Sequence, residues 1–424
     1  MQERVVSRER ATFGQLSLWR SIAKLPPAAC NLPQIWALPR DAAKEEIEHA
    51  LEDLERRHES LRTCYEERGE HGLTQVVQDP AAVSLETVEA DAAQVAEELA
   101  AEPFDLSADR PWRARLVTAR QVPSQLVICY HHIAVDAWAI NQLHEEFLAL
   151  LAGRPLPEDA PNCRELAVEQ WSDARKNRRA SARRYWREIF LAAPPMARDT
   201  GPSPVTSRWA RHSSQEAAAA AHRLAKRLNV SVPSVLVAAY CMALARQSGE
   251  RKLLVAVYAN NRSDPRWERL VAAQTQIIPL LVAVDPDEEF GAFATRVHWE
   301  SLRSYKHAAY NVDDVFEEGA LHGYHGTVNG SFEGSVSGFF RYFFNYLGEY
   351  QKDQTIPRRE MESGTAGRNI GAPLYLQAQD GDTLTCTLRE NSTSTGFDGV
   401  IGLLRALEDV LVLADADAEP AEES

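Results

Sequence analysis

The sequence contains no apolar run of membrane-spanning length, and its opening residues, Met1-Gln2-Glu3-Arg4, lead into charge rather than into a signal-peptide core. A cytoplasmic location, with no membrane partner, is the resulting expectation. Cysteine is scarce and scattered. Cys30, Cys64, Cys129, Cys163, Cys241 and Cys386 form no Cys-x-x-Cys pair, and no histidine stands at zinc-ligand spacing from any of them. Reduced, buried thiols and no metal site are therefore expected. No Gly-x-Ser-x-Gly elbow is present either: Gly334-Ser335-Val336-Ser337-Gly338 has its serines at the wrong places, which weighs against a serine acyl-enzyme. Basic residues are in deficit. The formal charge of −15 argues against general nucleic-acid binding, which requires a basic face. One local exception is the cluster Arg175, Lys176, Arg178, Arg179, Arg183, Arg184 and Arg187, whose commoner meaning is a solvated helical face.

What is present fits a soluble enzyme. Hydrophobic residues at 45% and charged residues at 25% lie near globular averages. A chain of 424 residues is too long for one ordinary core, so two domains are expected. Pro, Gly, Asp, Thr and Ser concentrate between Pro194 and Pro204, which puts the boundary near there. The expected division is 1–190, 191–414 and an acidic, disordered tail over 415–424.

The stretch Tyr130-His131-His132-Ile133-Ala134-Val135-Asp136-Ala137-Trp138 organises the rest. Gln125–Tyr130 has the length and apolarity of a strand, whereas Ile140, Leu143, Phe147, Leu150 and Leu151 recur at helical spacing. The histidines therefore fall at a strand's carboxyl end, where side chains of an open α/β sheet face a crevice. Asp136 falls at the helix start, where it can cap backbone N–H groups or pair with a cation. Helices are further expected from Thr12, over 42–57, 92–101 and 215–228, after Ser231 as N-cap, and over 400–413. Strands are expected over 32–38, 73–77, 112–117, 253–259 and 384–388.

Gln15 with Trp19, the segment Arg57–Tyr65 containing Arg62, Pro103-Phe104-Asp105-Leu106, and His131-His132-x-x-x-Asp136 occur in one order and spacing. Together they resemble the condensation domains of nonribosomal peptide synthetases, in the chloramphenicol acetyltransferase-like superfamily. Asn261-Arg262 and the segment 270–281 are similar to a family Gly-Arg pair and its following strand, with Asn261, Ala272, Gln274 and Gln276 replacing the usual Gly, Gly, Phe and Asn. The resemblance implies an α/β fold of two such lobes, a V-shaped pseudo-dimer with a tunnel between them. Adenylation and carrier domains have no room here, so a free-standing condensation enzyme is expected.

That resemblance also implies the chemistry and its residues. An amine, or a hydroxyl, would attack an acyl thioester carried on the phosphopantetheine arm of a carrier protein, with no bound cofactor. His132 is the implied catalytic residue, with His131 and Asp136 structural and Arg262 paired to Asp136, tying the second lobe to the catalytic loop. Arg62 is a motif residue. Ala137 (where the family usually has Gly), Trp138, Gln276 and Asn345 are tunnel candidates. Arg175, Arg179 and Arg183 are candidates for carrier docking. The acceptor is a small-molecule or carrier-bound amine or alcohol. His58, His322 and His325 read as packing or loop residues rather than metal ligands. Two other readings compete: an epimerization-like domain, suggested by Phe344-Asn345-Tyr346-Leu347-Gly348, and a non-catalytic recruitment module of the same fold. Trp138 after Asp136 speaks against the first, and the presence of His132 against the second.

Overall fold

The computed structural model describes residues 5–22, 26–69, 72–157, 160–194, 207–324, 336–349, 359–366, 372–391 and 399–417. The chain divides into two compact units, Met1–Ala180 with Asn260–Gln276, and Ser181–Ala259 with Ile277–Ser424. The expected Pro-rich boundary at 194–204 is therefore not where the units part; they part inside a helix. His325, Gly334, Ser335 and residues 195–204 lie outside the described residues.

Unit 1 opens with β1 (Val5–Arg10), α1 (Phe13–Ile22), β2 (Asn31–Ala37), α2 (Lys44–Arg57), β3 (Thr63–Glu67), β4 (Leu73–Gln78) and β5 (Glu86–Val88). It continues through α3 (Ala92–Ala101), β6 (Trp112–Ala119), β7 (Val122–His131), α4 (Ala137–Leu151), α5 (Cys163–Trp171) and the start of α6 (Lys176–Ala192). Its strands form two sheets, ordered β1-β4-β3 and β2-β7-β6-β5.

Strand β7 is central to the second sheet and buried on both faces, which explains its unbroken apolar run. Leu126, Ile128 and Tyr130 join Ile47, Leu51 and Leu54 of α2 and Leu143 and Phe147 of α4 in one core. Val127 and Cys129 face Val95 and Leu99 of α3 in another. By alternation, His131 follows the α3 side, where its ring meets Phe104 edge-on at 5.9 Å. Both β2 and β6 pair with β7 antiparallel. The parallel-sheet edge rule thus does not account for the histidines' position; they sit where β7 turns into α4.

Unit 2 holds the rest of α6, then β8 (Ser207–Ser214), α7 (Gln215–Leu228), α8 (Val232–Ser248), β9 (Lys252–Ala259), β10 (Gln276–Ala283), α9 (Phe290–Tyr305) and α10 (Val312–Leu321). It ends with β11 (Tyr342–Glu349), β12 (Arg359–Ala366), β13 (Leu374–Asp380), β14 (Leu384–Glu390) and α11 (Gly399–Ala416). One seven-stranded sheet runs β10-β9-β11-β13-β14-β8-β12. Helices α7, α8 and α11 pack on one face, where His212 of β8 reaches Glu408 of α11 at 2.8 Å.

Two local expectations change. Ser231 is the N-cap residue of α8 by position, yet its hydroxyl bonds Ser234 Oγ at 2.8 Å rather than capping the backbone. The acidic tail begins later than its composition suggests, because Asp415 is a buried residue of α11 whose carboxylate accepts from Arg223 Nε at 2.7 Å. Residues 418–424 lie outside the described residues. All six cysteines are buried, and none forms a disulfide among the described residues. Among the described residues, no single helix is long and apolar enough to cross a membrane.

Candidate active site

A turn over residues 132–134, closed by the Ala134 N–H donating to His131 O at 3.1 Å, carries the chain from β7 towards α4, and both histidines take part. His131 is buried, and its Nδ1 accepts the Ile133 N–H at 3.1 Å, closing the turn. Burial, reinforced by the neighbouring His132 and Arg113, drives its pKa down to about 3. The ring is therefore neutral, with its proton on Nε2, and serves as a fixed part of the turn.

His132 is held differently. Its Nδ1 lies 2.7 Å from the Val135 carbonyl oxygen, and its backbone N–H donates to Cys30 O at 2.8 Å. A carbonyl can only accept, so Nδ1 must donate. In the neutral ring this leaves Nε2 unprotonated, with a lone pair available. The side chain is half-buried.

Asp136 fixes the loop from below. One oxygen accepts the Ala139 N–H at 3.1 Å, capping α4, and Arg262 Nη2 at 2.9 Å; the other accepts Arg262 Nη1 at 2.8 Å. That second oxygen also takes the N–H groups of Gln274 and Thr275 at 3.1 and 3.2 Å and the Thr275 hydroxyl at 3.0 Å. Burial acts to raise the Asp136 pKa, but the Arg262 guanidinium and these donors outweigh it and hold the carboxyl below its usual range. Arg262 in turn donates to the carbonyls of Leu270 and Ala272. Both partners belong to unit 1, because segment 260–276 packs there. The expected tie from the second lobe to the catalytic loop is thus an internal pair of unit 1, although Arg262 comes late in the sequence.

The altered second-half segment is mutually adjusted. Asn261 adopts φ 54°, the left-handed region in which the usual glycine is cheapest and asparagine the most tolerated substitute. Its Nδ2 donates to Gln274 O at 3.0 Å and to Gln276 Oε1 at 3.3 Å, so two departures from the family pattern bond each other. Gln276, expected to line a tunnel, is buried in this contact.

Helix α1 supports the same segment. A Cβ at Gly14 would stand 2.0 Å from Ala273 O, so only glycine lets α1 approach this closely. Gly14→Ala must push the two backbones apart; a loss of about 1–3 kcal/mol of stability is expected by chemical denaturation. Gln15 accepts the Thr12 N–H and donates to Tyr65 Oη at 3.2 Å. His58 Nε2 bonds Glu146 at 2.7 Å and is buried, and Arg269 reaches the same carboxylate at 2.9 Å. Arg62 donates from Nε to Glu55 O at 3.2 Å and from Nη1 to Gln78 O, clamping α2 to β4.

Ala137 and Trp138 are exposed on the first turn of α4, the indole N–H donating to Glu268 O at 3.2 Å. Asn345 belongs to unit 2, where it donates to Tyr375 Oη at 2.9 Å. The structure brings His131, His132, Asp136, Arg262, Ala137, Trp138 and Gln276 into unit 1. Sequence reasoning missed the Val135 carbonyl and Thr275, since neither backbone acceptors nor a lone threonine leave a motif.

The arginines proposed for docking are internally engaged. Arg175 pairs with Glu169, and Arg179 donates to Gln170 O and Ser172 O at 2.7 and 2.8 Å. Arg183 and Arg187 converge on the buried Glu318, whose pKa Arg187 first and Arg183 second pull down to about 2 despite burial. Arg183→Glu would face Glu318, Asp314 and Glu317 with a like charge. A lowered melting temperature is expected from it, so a loss of activity in this variant would not report docking. Among the described residues no group of three or more His, Cys, Asp or Glu side chains is placed to hold a metal ion.

The condensation-domain family profile matches residues 22–357. Tyrocidine synthase 2 from Brevibacillus parabrevis is 30% identical over 302 residues, which is 68% of this chain and 8% of that protein. The chain spans only 5–12% of the length of such curated relatives. Among solved structures, the condensation domain from the Monacolin K polyketide synthase MokA superposes with TM-score 0.78 at 17% identity, covering 97% of this chain and 98% of that one. A structure explaining condensation domain-mediated chain release from the enacyloxin polyketide synthase gives TM-score 0.73 at 22% identity, covering 98% and 84%. Both share the mixed α/β, two-lobe architecture of these domains.

Proposed function

Since the chain belongs to the condensation-domain family, we propose that it joins an acyl group, carried as a thioester on the phosphopantetheine arm of a carrier protein, directly to an amine or a hydroxyl acceptor. The observation that carries this reading is the donation from His132 Nδ1 to Val135 O, which leaves Nε2 of the neutral ring unprotonated, with a lone pair able to accept a proton.

The nucleophile attacks the thioester carbonyl, its proton passes to His132 Nε2, and collapse of the tetrahedral species expels the pantetheine thiolate, which takes that proton back as the thiol. An α-amino group has a pKa of about 8, so a useful fraction is already neutral at physiological pH. Positioning then supplies most of the acceleration, up to about 7–11 kcal/mol when both reactants are held in near-attack geometry. For a hydroxyl, which is hardly ionised at neutral pH, proton removal by the imidazole weighs more.

The test is intact-protein mass spectrometry of the enzyme with an acyl-loaded carrier protein and candidate amines and alcohols. The expected result is loss of the acyl mass from the carrier only when a competent acceptor is present, with no acyl mass gained by the enzyme. A stable acyl-enzyme would overturn direct transfer. Tight binding of the carrier with no product from any acceptor, and the same in His132→Ala, would favour recruitment without catalysis.

A further inference from the structure

The sheet of unit 2 has a second face, opposite α7, α8 and α11. Strand alternation and register assign its side chains. Asn345 of β11 stands beside Gln377 of β13, and Phe343 beside Tyr375. Tyr375 faces Arg389 of β14, and Arg389 faces Trp209 of β8. Tyr258 extends the parallel pairing of β9 with β11, which brings it alongside Asn345. Phe343 is buried; Trp209, Tyr258, Asn345, Tyr375, Gln377 and Arg389 are half-buried, neither sealed in a core nor freely solvated.

These groups are uneven in how they are satisfied. Asn345 Nδ2 donates to Tyr375 Oη at 2.9 Å, and Tyr375 is also bonded to Tyr258 and Gln377, its ring 6.1 Å from that of Tyr258. Burial raises both phenols, so they stay neutral donors. Arg389 differs from the other arginines of the sheet. Arg208 pairs with Glu390, Arg211 with Glu362 and Arg359 with Glu408, whereas Arg389 has no carboxylate partner among the described residues. Its Nε is buried with no hydrogen-bond acceptor among the described residues. A guanidinium that the register places between Tyr375 and Trp209, with an unmatched Nε and neutral phenols beside it, suits a planar anion.

We infer that Arg389, with Tyr375, Tyr258, Asn345 and Gln377, forms a binding subsite on this face for an aromatic carboxylate. The carboxylate pairs with the Arg389 fork, and the flat ring lies against Tyr375 and Trp209. The inference concerns unit 2 alone and does not depend on acyl transfer at His132.

The test is a fluorine NMR titration of the full chain with para-fluorobenzoate and, as its neutral isostere, para-fluorobenzamide. Wild type is expected to bind the acid in preference to the amide. Arg389→Gln is expected to weaken the acid by about tenfold or more, the size of one lost charge-assisted pair, and leave the amide unchanged. Arg389→Lys should recover part of that loss, and Tyr375→Phe should weaken the acid less than Arg389→Gln does. Because Arg389 has no carboxylate partner to lose among the described residues, the melting temperature of Arg389→Gln should equal that of wild type. Absence of binding by wild type, equal binding of acid and amide, an unchanged affinity in Arg389→Gln, or a lowered melting temperature in that variant would each overturn the assignment.

Discussion

Asp136→Ala and Arg262→Ala are each expected to destabilise unit 1 by about 3–5 kcal/mol, the usual cost of leaving one member of a buried ion pair without the other. Both side chains are almost fully buried, at 3% and 1% exposure. Removing Asp136 also strands the N–H groups of Ala139, Gln274 and Thr275 and the Thr275 hydroxyl. Urea unfolding followed by a probe in unit 1, such as Trp138 fluorescence, measures this. A double replacement by Leu and Met should cost less than the two single losses together, because it leaves no orphaned charge. The pair also contributes a pH dependence whose sign is fixed. The folded Asp136 carboxyl titrates below its unfolded value of about 3.9, so its stabilisation is fully present above that pH and is lost as pH falls through the depressed folded value. Asp136→Asn should therefore flatten the acid limb of the stability profile.

His132→Ala is expected to behave in the opposite manner: a fall of about 10²–10⁴-fold in the transfer step, typical of a lost general base, with little change in folding. Among the described residues the imidazole makes one hydrogen bond, to Val135 O, and the residue is half-buried. Single-turnover transfer from an acyl-loaded carrier reads the rate, and thermal melting reads the fold. The loss should be larger for a hydroxyl acceptor than for an amine, because the amine is already partly deprotonated. Equal, small losses for both would make His132 an orienting contact rather than a proton acceptor.

The elements with a dense apolar signal were legible in the sequence. Helix α3 and helix α7 fall where their periodicity puts them, and β7 declares itself through Leu126–Tyr130. Several of the strands that escaped are of another kind. Strand β1 (VVSRER) alternates half-buried and exposed residues, and β8 (SRWARHSS) and β12 (REMESGTA) are polar strands toward one side of the large sheet. Such segments are strands because a neighbour offers backbone partners, which leaves no hydrophobic period to read. At the site, the His-His-x-x-x-Asp spacing pointed to the loop, but the tautomer of His132 depends on a backbone carbonyl that every residue type possesses. Likewise, Arg262 could be matched by pattern, whereas its membership of unit 1 follows from where segment 260–276 packs, a long-range fact. The basic cluster of α6 illustrates the converse, since composition showed seven charges and could not show that Arg183 and Arg187 are spent on Glu318.

The most direct measurement is the tautomer of His132, read from nitrogen NMR of histidine-labelled protein, with the signal assigned by its loss in His132→Gln. Direct transfer assisted by this residue requires, in the neutral ring, a protonated Nδ1 and an unprotonated Nε2, and that is the expected spectrum. A neutral ring carrying its proton on Nε2 would leave no base facing the nucleophile and would contradict the role assigned to His132.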